Sequence, residues 1–179
     1  MDRVWLLTWT MYGNWLPGDD RGSVSSIKEG DSTRHRHNQV GMPYDGSIPE
    51  LRHSAQTLMQ GDPVRLNQEQ AQAVLEQFHE TATIRGWSLL AVAVMVNHVH
   101  LVVGVPDDPD PANLLKDFKS YASRALNMRY STPINGTWWT ESGSRRKLSD
   151  DDARQKAVAY VLNQGFPLVV WAKEVGEKL

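Results

Sequence analysis

The chain has no cysteine among its 179 residues. That absence excludes disulfides, thiolate zinc sites and a cysteine nucleophile, so any metal must be held by histidine, carboxylate, amide or water. Also missing is any apolar run approaching the ~20 residues that span a bilayer. The N-terminus shows neither the basic region nor the cleavage pattern of a secretory signal, so a cytoplasmic protein without a membrane partner is expected. No glycine-rich phosphate loop occurs, which argues against a nucleotide cofactor. The net charge of −2 gives no global sign of nucleic-acid binding, because a domain that simply coats phosphate is usually basic.

What is present fits one domain over residues 1–179: 40% of the residues are apolar, enough for a sizeable core. Residues 3–11, rich in β-branched and aromatic side chains, read as a first strand. From Gly13 to Pro63 the periodicity dissolves among many glycines and prolines, which predicts a long insertion at 13–63 with a short helix near 50–60. Within it, Trp15 and Leu16 beside Pro17-Gly18 mark an ordered turn. Asn67 and Gln70 form a helix cap, and Ala71, Val74, Leu75 and Phe78 then repeat at helical spacing toward Gly86.

Two apolar runs, Trp87 to Met95 and His98 to Val105, predict a hairpin turning at Val96-Asn97. Pro111 opens a helix whose Leu115, Phe118, Ala122, Ala125 and Leu126 build a core stripe. Residues 136–148 read as a strand or irregular hairpin. Ser149 then caps a last helix, acidic in its first turn and ending at Gly165 before Pro167. The order predicts an α+β fold: a ferredoxin-like antiparallel sheet with helices packed on one face.

Chemistry concentrates at His98-Val99-His100. In a strand the two imidazoles lie side by side while Val99 faces away, an arrangement that suits a divalent metal ion. A lone pair of histidines is also compatible with a hydrogen-bonded core. Tyr160 and Gln164, four residues apart on the last helix, project from one face. Taken alone, Tyr160 reads as a core or boundary tyrosine among Ala157, Val161 and Leu162, and Gln164 as a polar residue of a last turn. Tyr121 and Tyr130 compete as nucleophiles but have no glutamine four positions on. His35, His37 and His53 read as solvent-exposed and His79 as structural. Two basic clusters, Lys116, Lys119, Arg124 and Arg129 and then Arg145-Arg146-Lys147, read either as phosphate-tracking patches or as solvated faces.

The run Met95-Val96-Asn97-His98-Val99-His100-Leu101-Val102-Val103, together with Tyr160-Val161-Leu162-Asn163-Gln164, resembles the single-tyrosine HUH transposases, including those associated with repetitive extragenic palindromes. The likeness covers residues 64 to about 165. The first strand and the segment Tyr12-Gly13-Asn14-Trp15-Leu16-Pro17-Gly18-Asp19 also look like members with a long insertion there. Members commonly carry proline where this chain has Val96, a change that loosens the turn but removes no ligand.

The resemblance implies an HUH endonuclease fold and a metal-dependent enzyme that cleaves and rejoins single-stranded DNA through a 5′-phosphotyrosine. Tyr160 is then the nucleophile, and His98, His100 and Gln164 hold Mg²⁺ or Mn²⁺. The partner is single-stranded DNA, typically a hairpin. Lys116, Lys119, Arg124, Arg129, Arg145, Arg146 and Lys147 become phosphate contacts, with Trp138 and Trp139 as base-stacking rings; read from the residues alone, the Trp pair is half core packing with at most one ring exposed. A homodimer with Tyr160 reaching across is an open arrangement. The alternatives are a non-catalytic DNA hairpin-binding protein and a rolling-circle-type nicking enzyme. A histidine-based phosphoesterase is a third reading, but it calls for a further catalytic histidine where Val102 stands.

Overall fold

The computed structural model describes residues 3–16, 18, 19, 27–29, 33–35 and 49–173. Contacts divide the chain into two compact units, residues 13–63 and the remainder. In the first, β2 (Ile27–Glu29) pairs antiparallel with β3 (Thr33–His35), and α1 (Pro49–Thr57) stands where a short helix is expected. His53 on that helix is exposed. The reading of His35 and His37 as exposed lies outside the described side chains.

The second unit is built on a five-stranded antiparallel sheet in the order β6-β1-β5-β4-β7, where β1 is Arg3–Thr10, β4 Ser88–Val94, β5 His98–Val105, β6 Ser144–Leu148 and β7 Val169–Ala172. Helix α2 (Gln68–Arg85) begins at the expected cap: Asn67 accepts from the Gln70 amide while the Gln70 side chain accepts from the Asn67 amide. It ends at Gly86, whose φ of +67° is a left-handed conformation that favours glycine. Helix α3 (Pro111–Arg129) is capped by Asp110, with proline at its start. Helix α4 (Asp151–Leu162) is capped by Asp150, whose carboxylate accepts from the Ala153 amide, rather than by Ser149; the negatively charged acceptor is favoured by the helix dipole, and Ser149 donates to it instead. The helix also stops before Gly165, at Leu162, so Gln164 lies just beyond it.

Alternation along β1 divides the sheet's two faces. Trp5, Leu7 and Trp9 join Val99, Leu101 and Val103 of β5 in the main core against α2 and α3. Trp9 meets Phe78 edge-on with ring centroids 5.7 Å apart, and Phe78 meets Phe118 at 5.4 Å. Val4, Leu6 and Val102 point the other way, to a second cluster with Ala91, Ala93 and Leu148 that α4 covers through Ala157 and Val161.

The expected α+β antiparallel architecture is therefore present, with one difference: the helices do not all share one face. Both faces of β4 and β5 are apolar, and α2 and α3 fill only one of them. The small side chains of α4 fit the shallow alanine surface on the other. Strand β7, unanticipated from the sequence, pairs with β4 and forms the sheet edge.

Candidate nuclease site

The site lies on the α4 face. The hairpin closes at Val96-Asn97 as the apolar runs imply, the Met95 amide donating to the His98 carbonyl at 2.8 Å. From there β5 starts with His98, and its alternation places His98 and His100 on the same face. Their ring centroids are 4.8 Å apart at 84°. Antiparallel register sets Thr10 opposite His98 and Thr8 opposite His100. Thr8 Oγ1 is 2.8 Å from His100 Nδ1, and His98 Nδ1 is 2.7 Å from Asn97 Oδ1.

His100 is only 3% exposed. Burial, reinforced by the neighbouring His98, pulls its pKa down to about 4, so the ring is neutral at physiological pH. Neutral imidazole is the form that ligates a metal.

Helix α4 brings its tyrosine to this pair. The Tyr160 ring stands edge-on to His100, centroids 5.1 Å apart at 78°, within a single chain. It is 51% exposed, packed at one edge and open to solvent at the other. Gln164 folds back on the helix end, its Nε2 donating to the Tyr160 carbonyl at 2.9 Å. That bond uses the amide nitrogen and not the oxygen, the atom a hard cation takes.

Among the described residues no group of three or more histidine, cysteine, aspartate or glutamate side chains could hold a metal ion. A cation here would therefore take two imidazoles, with an amide, phosphate or water completing its coordination. The donors present fit that requirement: two same-face histidines with each Nδ1 already against a protein oxygen.

The structure sorts the remaining candidates. Trp138 and Trp139 are each 4% exposed and belong to the main core. Trp138 donates to Asn127 Oδ1 at 2.7 Å, and Trp139 to the Lys119 carbonyl at 2.9 Å and Ser123 Oγ at 2.7 Å. The base-stacking reading of both is thereby corrected, because fully packed rings with satisfied indole nitrogens have no face for a base. Lys119 is corrected as well. Its buried ammonium donates to the carbonyls of Thr140, Glu141 and Ser142, tying the loop before β6 to α3. Burial draws its pKa down to about 8, opposed by the nearby Glu141 charge.

Lys116, Arg124, Arg129, Arg145, Arg146 and Lys147 are exposed. Arg124 lies over the Tyr121 ring, and Arg129 pairs with Glu76 at 3.0 Å. Register separates the triplet on β6. Arg146 is opposite Leu6 and so shares the face of the histidines, whereas Arg145 is opposite Leu7 and Lys147 opposite Trp5 on the α2 and α3 side. Lys147 pairs with Asp108 at 3.1 Å. Half-buried His79 packs edge-on against Trp171, a structural contact.

Thr8 is the site residue that sequence reasoning passed over. A signal was available: along β1 the second-face residues run Val4, Leu6, Thr8, Thr10, turning from apolar to hydroxyl where the register reaches the histidines.

A sequence model of the family described as transposase, IS200-like, matches residues 63–164, more than half of the chain. Among solved structures, the chain is similar to a REP-associated tyrosine transposase bound to a REP hairpin, at 12% identity and a TM-score of 0.48, covering 89% of this chain and 64% of that one. It is also similar to a protein from Deinococcus radiodurans R1 described as a candidate transposase, at 16% identity and a TM-score of 0.47, covering 93% of both chains. The chain thus spans just under two thirds of the length of the REP-associated protein. No curated protein sequence matches it. No helix among the described residues is long and apolar enough to cross a membrane.

Proposed function

The chain belongs to the IS200-like transposase family, and on that premise we propose that it cuts and rejoins single-stranded DNA through a covalent tyrosyl intermediate, using Tyr160, His98, His100 and Gln164. The observation that carries this reading is the contact of Tyr160 with His100, 5.1 Å between ring centroids, on the face that also holds His98. Residues sixty positions apart have no local reason to meet.

In the proposed reaction the Tyr160 oxygen attacks a backbone phosphorus. The new bond joins Tyr160 to the 5′-phosphate, the bond from phosphorus to the 3′-oxygen breaks, and the 3′-oxygen leaves as a hydroxyl after taking up a proton. The phenolic proton passes to water, which reaches the half-exposed ring. Attack of a 3′-hydroxyl on the phosphotyrosine reverses these steps and joins strands, and the ester bond is conserved throughout, so no nucleotide is consumed. Mg²⁺ or Mn²⁺ bound by His98, His100 and the Gln164 oxygen would supply positive charge against the non-bridging oxygens and the leaving 3′-oxygen. Packing of the Tyr160 ring edge on His100 limits its swing and keeps the phenol near the scissile phosphate. Arg146, on the same face, contacts a flanking phosphate of the bound strand.

The test incubates end-labelled single-stranded DNA with the protein and Mn²⁺, and reads a covalent adduct on a denaturing gel. A hairpin substrate and an unstructured strand of the same composition are compared, the hairpin being expected to give more adduct. Tyr160→Phe is expected to abolish the adduct while retaining DNA binding. An unchanged adduct in Tyr160→Phe, or hairpin binding with no adduct in the parent protein, would sink the mechanism; the second result would leave a non-catalytic hairpin-binding protein.

A further inference from the structure

We infer that Thr8 and Asn97 are positioning residues that keep His100 and His98 with their hydrogen on Nδ1, so that both Nε2 lone pairs are presented to one cation. This rests on the metal reading above and deepens it.

The hydrogen position on His98 follows from its partner. Asn97 Oδ1 carries no hydrogen, so its 2.7 Å contact with Nδ1 requires the imidazole to donate. A neutral ring that donates from Nδ1 has its lone pair on Nε2. Thr8 is less restrictive, because a hydroxyl can donate or accept. On the metal reading the direction follows. Nδ1 of His100 sits 2.8 Å from Thr8 Oγ1 in the sheet, which leaves Nε2 as the nitrogen able to meet a cation. A ligating Nε2 carries no hydrogen, so Nδ1 carries it and donates to Thr8.

The two partners come from different parts of the fold. Thr8 is the cross-strand neighbour of His100, placed by the β1 and β5 register, and Asn97 is the turn residue that precedes His98. Both rings are thus held by side chains whose places are set by the strand register and by the turn. In water alone a neutral histidine favours hydrogen on Nε2, the arrangement that blocks this site, so the oxygens oppose an intrinsic preference. Such outer contacts to metal-bound histidines fix ring orientation and raise ligand basicity.

The full chain, free of metal and labelled with ¹⁵N-histidine, is read by two-bond ¹H–¹⁵N correlation near neutral pH, which distinguishes the two hydrogen positions directly. Hydrogen on Nδ1 is expected for His98 and for His100. Thr8→Val, which keeps the branched shape without the hydroxyl, is expected to move the His100 hydrogen to Nε2 and to weaken binding of Mn²⁺ alone, followed by electron paramagnetic resonance, by roughly 10-fold or more. Thr8→Ser restores both. Asn97→Leu is expected to act likewise on His98. Hydrogen on Nε2 of His100 in the parent chain, or unchanged hydrogen positions and Mn²⁺ affinity in Thr8→Val, would overturn the inference. Because no DNA is present, this result and the adduct assay fail independently.

Discussion

The two faces of the sheet are made of the same strands and do different work. Toward α2 and α3 the side chains are carbon-rich and closed: Trp9, Phe78 and Phe118 interlock edge-to-face and are almost fully buried. Toward α4 the surface is shallow alanine and valine at one end. At the other it changes to Thr8, Thr10, His98 and His100 under a half-exposed Tyr160. Strand alternation lets one backbone place the closed core on one side and the proposed chemistry on the other, so a substitution is expected to disturb one property and spare its counterpart.

The largest expected effect breaks the closed face. Phe118→Ala should destabilise the fold by about 3–5 kcal/mol, through lost burial and the cavity left behind, measured by chemical denaturation. Tyr160→Phe should leave the same midpoint within about 0.5 kcal/mol while removing the adduct. If the two variants were equally destabilised, the division of labour between faces would be wrong.

Next comes Lys119, which ties the loop before β6 to α3. Lys119→Met keeps the packed stem but removes the donor from the carbonyls of Thr140 and Glu141, and leaves that of Ser142 only the long bond from Thr140 Oγ1 at 3.4 Å. A loss of about 2–3 kcal/mol is expected, with single-stranded DNA affinity unchanged when measured well below the unfolding midpoint. A drop in affinity without loss of stability would restore the phosphate-contact reading.

Gly143 sharpens the same junction. A Cβ there would lie 2.8 Å from the Thr8 carbonyl oxygen and 2.9 Å from a Leu115 methyl, so the loop passes β1 too closely for any side chain. Gly143→Ala should cost about 1–3 kcal/mol, and because it presses on Thr8 it should also lower adduct yield. Stability retained at the parent level would show that the loop can move away.

The smallest effect compares neighbours. Arg146→Ala on the histidine face should weaken single-stranded DNA binding several-fold and reduce the salt slope by about one, whereas Arg145→Ala on the other face should do less. Equal effects in a salt titration would mean that the register does not select which arginine meets the strand.

Much of the fold was legible before the structure. The reciprocal cap of Asn67 and Gln70, the turn at Val96-Asn97 and proline at the start of α3 are local signals, and each depends on residues within four positions. The helix-bearing faces were not. Near-continuous apolar runs at residues 89–94 and 99–103 are the mark of strands covered on both sides, a cue that the second face is covered but not which helix covers it. The basic and aromatic candidates divided for the same reason. Lys119 looks like an exposed group in a list of charges, and the Trp138-Trp139 pair leaves open whether one ring is exposed, because burial depends on which stretch of chain folds over them.

The sequence by itself determined that two imidazoles share one side of a strand, because in a regular strand residues two apart point to the same face. It also placed Tyr160 near the end of a helix. Only the tertiary structure decided that these two elements meet, since that depends on which face α4 covers and on the volume of the alanines beneath it. Likewise, the position of Thr8 against His100 is a matter of register between strands about ninety residues apart, specified by the packing of the whole sheet and by no short stretch of chain.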